Sequence, residues 1–575
     1  MTRPLQHDER EWLRCEVARC WPLAQAYWSR FLLLGQPADD SSQPSIAQID
    51  LGTRQVSLNA DEILSRGLVG SVEALLAHEV GHHVRFPGTL QTQARLRILE
   101  RSLIPFDDYS IINLFTDLMI NERLGCVVGD TPSNPRHSLR DQMVRIYLAF
   151  TTEPAFHGEG RWKHDPLFLF YLAIYEELWR LDAGALIGPA ACEFGQAFRG
   201  YRAEAAVLAQ NVFTLGPNLY TQFLYFLSIA TRYLRPLVAA RLIAIDPYQC
   251  GAGQPTADDW GEAITPTARE LEAIRRAIDE GWFAEDQGKR LSESADAETR
   301  MAGLPGFGTA DATQVPEAMA AYYRQQAVAH LLRPPAQRRW GEANTPTTLE
   351  EWEPGDSLRD IDWLATLTLR GEELGTALPL KRARAAEHEG YDVPMWQPRM
   401  EVYLDVSGSM PNPCFAFNAM TLAAQILSLG TVRAGGRVRA LLFSSEPHLF
   451  WEWSRSEVEM SRFLMHYLGA GTVFPFGILA RSVEECGDDQ PIRVVISDRD
   501  FDANVSAEPS HRLTLADAVA KSARFVLLQH RPDPTAVRSY RGLGATVIEV
   551  HEMKDFPRVA TELAQALFPE ELHVL

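Results

Sequence analysis

The chain has 575 residues, more than one hydrophobic core accommodates, so about three domains are expected. Its formal net charge of −20 and pI near 5.3 argue against general binding to a nucleic-acid phosphate backbone and favour cations or basic partners. With 46% hydrophobic and 23% charged residues, it has the make-up of an ordinary globular protein.

The N-terminal MTRPLQHDEREWLRCEVARC is too charged for a signal peptide, and the first forty residues read as a helix rich in Trp, Leu and Ala. IAQIDLGTRQVSLN holds two short apolar stretches suited to strands. Helices are expected at roughly 71–86 and 109–125, and again through most of 165–245, where FLFYLAIYEELW and YTQFLYFLSIATRYL pack aromatics into a helical layer. The most apolar run, Phe223 to Ala230, is too short for a membrane span. Residues 250–315, rich in Gly, Pro, Ala, Asp and Glu, read as a partly ordered linker around one amphipathic segment, ARELEAIRRAIDEGW. The helical MAAYYRQQAVAHLL and the Pro-rich RPPAQRR follow. From about 345, strands alternate with helices, the signal of a parallel sheet covered on both faces. Seven cysteines without CxxC spacing suggest reduced thiols and a cytoplasmic setting.

SVEALLAHEVGHHVRF carries His78, Glu79 and His82 as HExxH. Residues i and i+4 share a helix face, so the two imidazoles can reach one ion, and zinc suits them. Glu79, beside the first of them, is placed to act as general base in hydrolysis. Ser71 is positioned to cap this helix, Glu73 complements its dipole, and Gly81 leaves room beside His82. A third ligand is expected from SIINLFTDLMINERL, apolar nearly all round, with Asn113, Asp117 and Asn121 in one row at i, i+4 and i+8. A buried carboxylate needs a cation or several donors. Asp117 is therefore the favoured ligand, Asn113 and Asn121 its supporting shell, with Glu122 the competing ligand and His83 a weaker one.

MEVYLDVSGSMPNP reads as a strand ending in Asp405, Ser407 and Ser409, where ligands bind in open α/β sheets. Thr472 in GAGTVFPF and Asp498 at the end of IRVVISD return to the same sheet edge. These hard oxygen donors suit magnesium or manganese. Asp500 and Asp502 read as solvated loop residues just beyond. Upstream, LEEWEPGDSLRDIDWLATL has a turn at Pro354-Gly355-Asp356, a possible cap at Ser357, and Trp352, Ile361 and Trp363 as anchors on a neighbouring domain.

HEVGHH together with N-x-x-x-D-x-x-x-N, over roughly residues 45–125, resembles bacterial metallopeptidase-like proteins fused to von Willebrand factor A-type (VWA) domains. The ordered DxSxS, Thr and Asp resemble the metal-ion-dependent adhesion site (MIDAS) of VWA domains. That resemblance implies that Ser407, Ser409 and Thr472 hold the ion directly, with Asp405 and Asp498 acting through water. It also implies one open position for a partner's Asp or Glu. The W-E-P-G-D…D-I-D-W element is similar to one that precedes VWA-like domains encoded beside MoxR-type AAA+ ATPases. The expected chain is multidomain α+β and α/β. A mostly helical zincin-like domain occupies 1–150, a helical extension 151–250, a linker and helical segment 251–344, and a VWA-like doubly wound parallel sheet 345–575. The expected function is a zinc metallopeptidase coupled to a MIDAS that binds a protein partner. The alternative is a non-catalytic VWA adaptor with a structural or vestigial zinc site.

Overall fold

The computed structural model describes residues 7–104, 110–126, 138–151, 166–239, 253–304, 314–331, 344–371, 377–386, 397–487 and 489–568. The chain forms two compact units, Met1–Asp311 and Ala312–Leu575. Among the described residues, no helix is long and apolar enough to cross a membrane, and the six cysteines form no disulfide.

Unit 1 opens with α1 (His7–Ala26) and a three-stranded sheet of β1 (Ala38–Asp39), β2 (Ala47–Asp50) and β3 (Gln55–Leu58), in the order β1-β3-β2. The two apolar stretches expected as strands are β2 and β3, paired antiparallel. The sheet carries α2 (Ala60–Ser65) to α3 (Val72–Val84), the HExxH helix, and then α4 (Leu90–Leu103), α5 (Ile112–Gly125), α6 (Leu139–Thr151) and α7 (Pro166–Leu178). The helical layer continues through α8 (Ala191–Ala197), α9 (Tyr201–Asn211) and α10 (Leu219–Ala239).

The stretch expected as a partly ordered linker is instead helical: α11 (Ala257–Ile264), α12 (Ala268–Asp279), α13 (Glu285–Glu293) and α14 (Ala297–Gly303). Composition misleads there because local capping and one buried charge cluster outweigh it. Thr256 with Asp259, and Thr267 with Glu270, form capping boxes that satisfy the first N–H groups of α11 and α12. Glu270 also pairs with Arg95 of α4 at 2.7 Å and with Arg300 of α14 at 2.8 Å, all three buried. Removing one member of such a cluster leaves an uncompensated buried charge, so it ties three helices together.

Unit 2 begins with α15 (Gln314–His330) and a β-ribbon of β4 (Asn344–Glu351) and β5 (Leu380–Ala386), with α16 (Trp363–Arg370) between them. Ser357 precedes a short 3₁₀ turn, Leu358–Asp360, while Asp362 caps α16 by accepting from the Ala365 N–H. The anchoring expected of Trp363 is not seen within the unit, since its side chain is 57% exposed; Trp352 and Ile361 are half-buried.

The main sheet comprises β6 (Arg399–Asp405), β7 (Arg437–Phe443), β8 (Pro447–Ser454), β9 (Ile492–Asp498), β10 (Arg524–His530) and β11 (Thr546–Val550), in the order β11-β10-β9-β6-β7-β8. All neighbours run parallel except β8, an antiparallel edge. Its helices are α17 (Ala419–Arg433), α18 (Glu457–Phe463), α19 (Phe476–Cys486), α20 (Asp500–Ala507), α21 (Pro509–Ala520), α22 (Pro534–Gly542) and α23 (Phe556–Leu567). The chain winds from β6 to β7 on one side and to β9 on the other, so the order reverses between β6 and β9, the crevice where such sheets bind ligands.

Candidate metal centres

The first centre lies where α3 meets α5. On α3, His78 and His82 stand one turn apart with their Nε2 atoms 3.2 Å from each other. Asp117 Oδ1 of α5 lies 3.4 Å from His78 Nε2 and 3.2 Å from His82 Nε2. Among the described residues these three are the one group of His, Cys, Asp or Glu side chains close enough together to hold a metal ion.

Their hydrogen bonds determine what the three atoms offer. His82 Nδ1 faces the Phe86 carbonyl at 2.8 Å, and His78 Nδ1 faces Asn121 Oδ1 at 2.7 Å. Both oxygens only accept, so each Nδ1 carries a proton and Nε2 is the ring atom left to face Asp117, free to offer a lone pair to a metal once it gives up any proton it shares with the carboxylate. Asn121 Nδ2 donates to the Tyr147 and Tyr175 hydroxyls, each at 3.0 Å, which holds the amide with Oδ1 towards His78. Three potential ligand atoms thus converge on one point, and Asp117 Oδ1 makes no hydrogen bond of good geometry there. Burial pushes the His78 imidazole down and the Asp117 carboxyl up. Their mutual attraction outweighs burial, raising His78 and lowering Asp117. Such a cluster takes up positive charge, either as a proton on His78 or as a metal ion in its place. Tetrahedral zinc, with bonds of about 2.0–2.2 Å, spaces its ligand atoms about 3.3–3.6 Å apart, close to the 3.2–3.4 Å found. The donor set fits zinc.

Glu79 is 1% exposed and lines the same cavity as His78 and Asp117. Glu122, the competing ligand, lies outside this group; it is half-buried and accepts from the Cys126 thiol. Burial raises its carboxyl. From Asp117 to Glu122 is five residues, well over a quarter turn off the shared face. His83 is half-buried and also lies outside the group. Asn113, half-buried, does not line the cavity.

Sequence reasoning missed the tyrosines behind Asn121. Tyr147 of α6 and Tyr171 and Tyr175 of α7 are buried, with the Tyr171 and Tyr175 hydroxyls 2.8 Å apart. Burial raises all three phenols, keeping them as neutral hydrogen-bonding groups. The i, i+4 spacing of Tyr171 and Tyr175 placed them on one face, but nothing local pointed that face at Asn121. Two expectations for α3 also change. Ser71 makes no side-chain cap; Gln142 of α6 instead accepts from the Ala74 N–H at 3.0 Å. Gly81 makes room not for His82 but for Trp28 and Ile120, whose atoms would lie 2.5 and 2.9 Å from an added Cβ.

The second centre sits at the crevice of the unit 2 sheet. Asp405 ends β6 and Asp498 ends β9, two adjacent parallel strands. Asp405 is fully buried: Oδ1 accepts from the Ser407 N–H at 3.0 Å and Oδ2 from the Ser497 hydroxyl at 2.7 Å. Burial pushes its carboxyl up, and these donors offset part of that. The Ser407 and Ser409 hydroxyls are 3.1 Å apart, and Ser409 donates to Asp498 Oδ2 at 3.3 Å. These four residues form one connected set. Thr472 is brought near by its loop, since the Gly408 N–H donates to Ala470 O at 2.8 Å. A Cβ on Gly408 would meet that oxygen at 3.1 Å, so glycine permits the approach. Ala470 holds φ at +74°, a left-handed conformation uncommon outside glycine. The Thr472 hydroxyl makes no hydrogen bond to the other four. Asp502 is not a solvated loop residue: it is buried and accepts from Gln529, Tyr540 and the Asp533 N–H.

No family profile and no curated protein sequence matches the chain. Among solved structures, a von Willebrand factor type A protein from Catenulispora acidiphila is similar over 32% of this chain and 43% of its own length, at 12% identity and a TM-score of 0.24. A similarity that slight decides neither fold nor activity.

Proposed function

We propose that unit 1 is a zinc-dependent peptidase and that unit 2 is a VWA-type domain whose MIDAS-like centre binds a protein partner. The observation that carries this reading is the convergence of His78 Nε2, His82 Nε2 and Asp117 Oδ1 within 3.4 Å, with Glu79 on the same cavity. Zinc held there would supply a Lewis acid that polarises a peptide carbonyl and makes water easier to deprotonate. Glu79 accepts a proton from the attacking water and returns it to the leaving amine nitrogen. Asn121 keeps His78 in the Nδ1-protonated tautomer throughout, and the tyrosines hold Asn121. In the sheet order β1-β3-β2, β2 has a strand neighbour on one side only among the described residues, and its residue Ala47 lines the cavity. An extended peptide chain can therefore lie along that edge.

In unit 2, Asp405, Ser407, Ser409, Thr472 and Asp498 would hold magnesium or manganese and leave a position for a partner's Asp or Glu. The partner we assign is a MoxR-type AAA+ ATPase, in a cytoplasmic setting. One observation favours the non-catalytic alternative: Glu79, His82 and Asp117 are buried and His78 is largely so, as in closed structural zinc sites. Two measurements separate the readings. Elemental analysis finds one zinc per chain in wild type and none in His78→Ala; a metal-free wild type removes the enzymatic case. Glu79→Gln keeps zinc and fold but abolishes peptide hydrolysis; no difference from wild type supports the adaptor.

A further inference from the structure

The cavity that holds Glu79 and Asp117 has a second wall with no part in holding a metal. Ala47 of β2, Leu75 of α3, Leu114 of α5, and Met143, Ile146 and Phe150 of α6 form it. Among the described residues, no Lys or Arg lines the cavity, and its carboxylates are Glu79 and Asp117. An acidic side chain packed against this wall would lose hydration, meet no Lys or Arg and lie beside the Glu79 carboxylate. The cavity measures about 70 Å³, roughly half of the ~150 Å³ apolar cavity that takes up benzene. Phe150 is braced from behind, because the Arg66 guanidinium sits 4.5 Å from its ring centroid and pairs with Glu62 at 2.8 Å.

We infer that this wall is a specificity pocket for an aliphatic side chain of leucine or valine size, next to the peptide bond that is cleaved. The substrate class is then polypeptide with an aliphatic residue at that position. This inference rests on the peptidase reading of the same centre. Each buried CH₂ strengthens binding roughly fourfold, so four aliphatic carbons contribute on the order of 100-fold.

The test uses the zinc-loaded full chain and N-acetylated hydroxamates of glycine, leucine, phenylalanine and glutamate, with binding followed by calorimetry. The leucine compound binds on the order of 100-fold tighter than the glycine one and at least about tenfold tighter than the phenylalanine and glutamate ones. Ile146 is only half-buried, so Ile146→Ala keeps the fold while widening the pocket, and it shifts the preference from leucine towards phenylalanine. Binding of the glycine compound with no gain for leucine overturns the pocket and leaves the metal centre standing. A wild-type preference for phenylalanine or glutamate overturns it as well. Failure of all four compounds, glycine included, overturns the metal reading and the pocket with it.

Discussion

The two candidate centres are built on different supports. In unit 1, two helices hold the side chains, and both imidazoles are locked from behind by a carbonyl and by Asn121. The three ligand atoms stand at near-tetrahedral spacing in the structure. In unit 2, loops leaving a parallel sheet carry the oxygens. Four of the five residues are linked by hydrogen bonds, while Thr472 is brought in only through its backbone neighbours. Imidazole ligands need a fixed ring and tautomer. Magnesium keeps several waters in an octahedral shell and needs only a few protein oxygens. The contrast is between side chains locked in place on helices and side chains gathered by loops at a sheet edge.

The largest effect should come from Glu79. Glu79→Gln is expected to lower kcat by about 10²–10⁴-fold with zinc content unchanged by elemental analysis; loss of zinc would show that Glu79 serves the fold instead. Next, Asp117→Ala should abolish stoichiometric zinc while leaving magnesium or manganese binding intact, and Asp405→Ala should do the reverse. Parallel metal titrations of the two variants check this, and loss of both metals in either one would erase the distinction between the centres. A smaller effect is expected from Asn121→Ala, which releases His78 and should weaken zinc about 10–100-fold in a competition assay with a chelator. An unchanged affinity would mean that preorganisation does not matter in unit 1.

The smallest effect sharpens the comparison from the stability side. At the opposite end of β6 from Asp405, buried Glu401 accepts from Arg439 at 2.7 Å, Arg493 at 2.9 Å and Ser482 at 2.7 Å. Burial pushes its carboxyl up, but the two arginines outweigh that and hold it below its ordinary 4.5. An acid held below its ordinary value stabilises the fold above that value, and the contribution is lost as pH falls through the folded-state value. Unit 2 should therefore lose a few degrees of Tm below about pH 4.5, and Glu401→Gln should flatten that dependence. Calorimetric melts across pH 3–7 would show it.

Much of the site was legible locally. HExxH sets two imidazoles on one helix face because α-helical periodicity is a property of the backbone. Asn113, Asp117 and Asn121 stood out as a polar row in an otherwise apolar helix. The strands ending in Asp405 and Asp498 were legible from their apolar runs, the second of them β-branched. Less was legible in residues 257–303, where Gly and Pro content suggested a linker. Their helices depend on Glu270 meeting Arg95, a partner 175 positions away.

By itself the sequence determined spacing: which residues share a turn, which strands end in an acid and a serine, and which helix is too apolar to face water. The tertiary structure alone decided which of Asp117 and Glu122 meets the imidazoles, that Tyr147 and Tyr175 lock Asn121, and that Trp28 occupies the space at Gly81. The physical reason is range. Helical and strand periods are set by bonds within a few residues, whereas the faces that meet depend on packing between segments tens to hundreds of positions apart.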